Sequence, residues 1–239
     1  MYMLAPLSEH YDDGFGAIGD AFCNAAKALN KKNIAGDGSA SLDDLPEIYL
    51  LRHAVELFLK SGIIIMHRRL RVRYGSEPHT SSTPMMRTSS GKWKPLLRTH
   101  DIPELYGYWK ELVVGNKDTL IKLMPHAADV EVPVELDGWI NTLGAADPKS
   151  DYFRYPVSKN TVADKEKSPF KEVAPHLLFP AAHTEYVKAL VVENAKGDVV
   201  KAFKYDRTTS KAVAEAARGA AEMLSNFHFM MRVELAGGW

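Results

Sequence analysis

The chain has 239 residues, 46% hydrophobic and 25% charged, ordinary globular proportions that exclude a disordered chain or a coiled coil. Lys plus Arg and Asp plus Glu number 30 each, so no net field points to nucleic acid or to a membrane surface. The one cysteine, Cys23, excludes a disulfide framework within a chain and favours a reducing, cytoplasmic location.

The opening residues lack the basic-then-apolar pattern of a signal peptide, and apolar runs such as Ile63 to Met66 fall far short of the ~20 residues of a membrane span. From about Gly14 to Lys32, Phe15, Ile18, Phe22, Ala25, Ala26 and Leu29 recur at helical spacing. Its start spells G-x-G-x-x-G (Gly14 to Gly19). The preceding SEHYDD is no strand to deliver a dinucleotide, so the glycines fit a helix packed closely on a neighbour. Cys23 fits a small core residue of that helix better than a nucleophile. A second helix follows SLDDLPE and could reach Arg73; Asp residues and Pro46 suit its first turn. A third begins at THDIPELYGYWKEL and is expected to reach Leu123. The segment after it, from Val132 to Pro156, reads as loop-like. A β-hairpin is expected over 186–205 around Lys196-Gly197-Asp198, with a helix from Glu185 to Val192 as the competitor for its first half. An alanine-rich helix from Thr208 closes the chain.

Residues 74–100, rich in Ser, Thr, Pro and Gly, read as a long, flexible, exposed loop. Residues 67–100 carry eight basic residues against one acid, Glu77, whereas 101–151 carry ten acids against four lysines. The two blocks could pair with each other, or the basic one could meet an anion. Arg68, Arg69, Arg71 and Arg73 near the end of helix two suit its dipole as cations; with Lys92, Trp93 and Lys94 they also form a candidate nucleic-acid surface of charge plus a stacking ring. No metal-ligand motif and no cofactor motif stands out.

The stretch YLLRHAVELFLKSGIII (Tyr49 to Ile65) sets polar residues into an apolar helix. At about 100° per residue, Glu56, Lys60 and His53 lie roughly 40°, 80° and 100° from Arg52, one narrow stripe. It could be a solvent face, the floor of a cleft or the seam of a dimer, and residues at this spacing can pair side chain to side chain.

YLLRHAVELFLKSGI, THDIPELYGYW and DYFRYP, in this order, resemble the HEPN-like bacterial proteins. The resemblance implies a single domain over 1–239, mostly α: an up-and-down bundle of four to five helices, here with the hairpin inserted before the last helix. It also implies a homodimer and an RNA-directed role, as a metal-independent RNase or RNA binder of a defence or toxin–antitoxin system. The family's R-x(4–6)-H motif has one match, Arg73 to His79, placed earlier than the family puts it. A second candidate catalytic pocket follows the resembling strings: Arg52, His53, Glu56, Lys60, His100, Asp101, Arg154 and Tyr155. The same residues could be a brace, with Glu56 paired to Arg154 and Asp101 capping its own helix. The alternative function is a non-catalytic helical module that holds a partner protein or a nucleotide.

Overall fold

The computed structural model describes residues 5–35, 44–127, 130–148, 150–154, 164–165, 167–178 and 188–238. Over these the chain is mostly helical, with two small antiparallel sheets. The helices are α1 (Phe15–Ala35), α2 (Asp44–Leu70), α3 (Ile102–Gly115), α4 (Lys117–Leu123), α5 (Val134–Ala146) and α6 (Thr208–Glu234). The strands are β1 (Met85–Arg87), β2 (Trp93–Pro95), β3 (Phe170–Val173), β4 (Ala189–Glu193) and β5 (Val199–Tyr205).

Helix α2 is the centre of the fold. Asp44 and Glu47 sit in its first turn and His67, Arg68 and Arg69 in its last, the charge order a helix dipole favours. It ends at Leu70, three residues before the expected Arg73, because Arg71 takes left-handed backbone (φ 57) and the Val72 N–H reaches back to the His67 carbonyl at 3.0 Å. Of its 27 residues 18 are buried, so it is enclosed all round, packed by α1, α6 and α3. Phe58, Ile63, Ile64 and Ile65 are 2% exposed or less, each worth about 1.5–3 kcal/mol of burial. Gly62 lets α3 close in: a Cβ there would lie 2.6 Å from the Trp109 indole nitrogen.

Four expectations change. The third helix breaks at Asn116, whose side-chain amide donates to the Leu112 carbonyl at 2.8 Å and diverts the chain into α4. Part of the loop-like stretch is α5: Leu136, Ile140 and Leu143 form a buried helical stripe that Gly138 and Gly144 obscured. Residues 74–100 carry a two-stranded ladder, β1 with β2, that buries Met86, while Tyr74 and Leu96 are buried beside it. The helices number six among the described residues rather than four or five.

The hairpin is present as β4 and β5 around Gly197, and β3 adds an unforeseen third strand on the other side of β5. Residues 186–187 of the expected hairpin lie outside the described residues. The Gly14-to-Gly19 stretch starts a closely packed helix, as expected. The Asp12 carboxylate accepts from the Gly14 and Gly16 N–H groups at 3.0 and 2.7 Å, and a Cβ on Gly16 would lie 2.0 Å from the His228 ring. Cys23 is buried, and burial pushes its thiol up to about 11.

Candidate functional site

The polar stripe of α2 faces inward. Arg52, Glu56 and Lys60 are 3%, 1% and 3% exposed, which corrects the solvent-face reading. Such charges persist in a core only when paired and hydrogen-bonded, and Glu56 is the hub that does this. Its Oε2 accepts from Arg52 Nη1 at 3.3 Å, and its Oε1 accepts from Lys60 Nζ at 2.8 Å and from His100 Nδ1 at 2.9 Å. One turn of helix separates Arg52, Glu56 and Lys60 in succession, so α2 alone stacks cation, anion and cation.

The second carboxylate comes from Asp147, just after α5. Its Oδ2 lies 2.7 Å from Arg52 Nε, a charge contact whose angle is outside the hydrogen-bonding range. Asp147 is 3% exposed, so two buried cations meet two buried carboxylates. Backbone oxygens complete the set: Arg52 Nη2 donates to the His100 carbonyl at 2.9 Å and Lys60 Nζ to the Leu97 carbonyl at 3.4 Å. Burial acts to raise the Glu56 pKa, but the Lys60 ammonium and the His100 ring outweigh it and hold the carboxyl below its ordinary range.

His100 differs from its partners. It stands just before α3 with its side chain 47% exposed. A carboxylate only accepts, so the Nδ1 that meets Glu56 carries the proton and a neutral ring keeps its Nε2 lone pair. A buried carboxylate thus orients a half-exposed imidazole.

The other predicted residues divide. Asp101 caps α3, accepting from the Glu104 N–H at 2.9 Å, as the brace reading expected. Glu56 does not pair with Arg154, which is exposed; Arg52, Lys60 and His100 satisfy it instead. His53 is half-buried, edge-on to Phe22 with ring centres 4.7 Å apart, and its Nδ1 has no hydrogen-bond partner among the described residues. Burial lowers its pKa, Glu56 opposes this, and Lys60, Arg154 and Arg52 add to it. Tyr155 lies outside the described residues. Arg73 is exposed and donates to the Ser76 carbonyl; neither it nor His79 makes a hydrogen bond or ion pair with the Glu56 cluster.

The basic block is partly paired with the acidic one, as Lys94 meets Glu104 and Arg87 meets Glu111. Arg68 is held by Asp13 at 2.9 Å. Arg69, Arg71, Lys92 and Arg98 are exposed, and Trp93 is 37% exposed beside them in sequence.

Sequence reasoning missed Asp147. The only signal was the need of a buried Arg52 for a second counter-charge. It also missed a second buried polar set, in which Ser61 of α2 donates to Asp12 at 2.6 Å and lies 3.0 Å from His228 Nδ1 of α6. Among the described residues, no group of three or more His, Cys, Asp or Glu side chains is placed to hold a metal ion. Comparison with family models, with curated proteins and with solved structures found no match.

Proposed function

We propose that this protein acts on RNA by acid–base chemistry that needs no metal, from a homodimeric helical bundle of the HEPN type in a defence or toxin–antitoxin system. The observation that carries the reading is the Glu56–His100 pair: a buried, charge-compensated carboxylate presenting a half-exposed imidazole. The neutral Nε2 would take the proton of an RNA 2′-hydroxyl as that oxygen attacks phosphorus; the 5′-oxygen leaves with a proton from solvent. Exposed Arg98 and Arg154 are the candidates to steady the phosphate oxygens. Arg52, Lys60 and Asp147 hold the pair in place and do not touch substrate.

The test is cleavage of end-labelled RNA in EDTA by the parent and by His100→Ala and His100→Gln. Loss of about 10²–10⁴-fold in rate, the usual worth of a general base, with unfolding close to the parent's, supports the reading. Equal cleavage by the variants and the parent refutes the role of His100.

The second reading, a helical module for a partner protein or a nucleotide, is favoured by the sealing of Arg52, Glu56 and Lys60, which leaves one side chain of the hub within reach of solvent. It gains if the parent leaves varied RNAs intact at low salt.

A further inference from the structure

We infer that the outer edge of β4 is a self-association surface, on which β4 of a second copy of this chain pairs antiparallel. The sheet runs β3-β5-β4, so β4 has a partner on one side alone among the described residues. All five of its residues are exposed, Leu190 at 52% and Val191 and Val192 at 41% each.

The ladder shows which backbone groups point outward. The Tyr205 N–H donates to the Lys188 carbonyl at 2.9 Å, and the Asn194 N–H donates to the Asp198 carbonyl at 2.9 Å. Antiparallel pairs alternate between bonded and non-bonded. With Ala189 opposite Lys204 and Val191 opposite Ala202, the groups that face β5 belong to Leu190 and Val192. Ala189, Val191 and Glu193 therefore turn their N–H and C=O away from the sheet. The other side of β5 agrees: the Asp206 N–H donates to the Pro169 carbonyl, which gives Ala202 and Lys204 to β3.

Chains blunt an open edge with charged residues, proline or a bulge; in β4 the one charged residue is Glu193, at its end. Here Ala189 to Val192 carry neither charge nor proline, and the register shift falls at the end, between Val192 and Glu193. The strand also fits itself. A two-fold axis at Val191 sets Val191 against Val191, Ala189 against Glu193 and Leu190 against Val192. Every outward backbone group then meets its complement, and the exposed aliphatic side chains on one face meet each other. A heterologous peptide would satisfy the backbone equally, but the apolar, self-matching side chains select the second copy.

The test is the mass of the full chain by sedimentation equilibrium over a concentration series. A concentration-dependent dimer is expected for the parent and for Val191→Thr. Val191→Pro removes an outward N–H and leaves the β4–β5 bonds intact, so it is expected to weaken the dimer at least tenfold. Val191→Lys, which sets two ammonium groups against each other at the axis, should do the same if the proline variant misfolds. In Leu190→Cys/Val192→Cys, oxidation should give a covalent dimer; bridging within one strand is out of reach for residues two apart. A parent that stays monomeric throughout overturns the inference, as does a dimer of undiminished strength in both Val191→Pro and Val191→Lys. A monomeric parent would also remove the homodimer from the proposed function, whereas the role of His100 is read separately by RNA cleavage.

Discussion

Replacing Glu56 by glutamine keeps the shape of the hub and removes its charge. Lys60 would then keep the Leu97 carbonyl at 3.4 Å and a neutral amide, while Arg52 would keep Asp147 and the His100 carbonyl. Both cations are 3% exposed, so water cannot replace the carboxylate. Breaking one side of a buried pair costs about 3–5 kcal/mol. With a urea m-value near 3 kcal/mol/M at the upper end for single domains, 4 kcal/mol lowers the midpoint by about 1.3 M. In thermal unfolding it lowers Tm by roughly 8–16 °C. The pH dependence gives a second reading. Because the folded Glu56 carboxyl is held below its ordinary range, its contribution is present above the unfolded pKa of about 4.3 and is lost as pH falls through the folded value. The gap between parent and Glu56→Gln should therefore be widest near neutrality and close in acid. A gap below ~1 kcal/mol at pH 7, or one that does not shrink in acid, would refute the brace.

His228 is buried against Ser61, and burial lowers its pKa; Asp12 and Asp20 oppose this, while Arg232 and His10 add to it. Below about pH 6.5 the unfolded chain binds a proton that the folded one refuses, so stability should fall with pH by up to ~1.4 kcal/mol per unit for this group. Urea titrations at pH 7, 6 and 5 should show a shallower fall in His228→Gln; an identical fall in both proteins counts against the assignment. Cys23, with its thiol pushed up to about 11, should resist iodoacetamide at pH 7.5 in the native protein and react readily in denaturant; fast native alkylation would mean the α1–α2 packing opens.

The helices with clean periodicity were legible. Phe15 to Leu29 and the alanine-rich last helix read directly, and the stripe on α2 was visible from one-turn spacing alone. Its inward direction was not. Helical spacing shows which residues share a face; what covers that face depends on α3 and α5, distant in sequence. α5 was itself hidden, because its short stripe of Leu136, Ile140 and Leu143 is interrupted by Gly138 and Gly144. Asp147, the counter-charge of Arg52, arrives with that helix, so missing α5 meant missing half of the ion-pair set. The 74–100 segment misled for a related reason: Ser, Thr and Pro composition describes its tips, while Met86 and Leu96 anchor it to the core.

The brace and the chemistry compete less than the sequence suggested. A carboxylate that orients an imidazole works best when it is fixed and stays ionised, and burial alone would do the opposite by raising its pKa. The Lys60 ammonium and the His100 ring offset that penalty, and Arg52 lies between Glu56 and Asp147, so two buried cations face two buried carboxylates. His100 is then the point where a structural network meets solvent. On this account a Lys60→Met/Glu56→Met double replacement should recover much of the stability lost in Glu56→Gln, since apolar pairs often match buried ion pairs. It should not recover RNA cleavage, because His100 would have lost the group that fixes its tautomer. Stability and cleavage returning together would show that the carboxylate serves the fold alone.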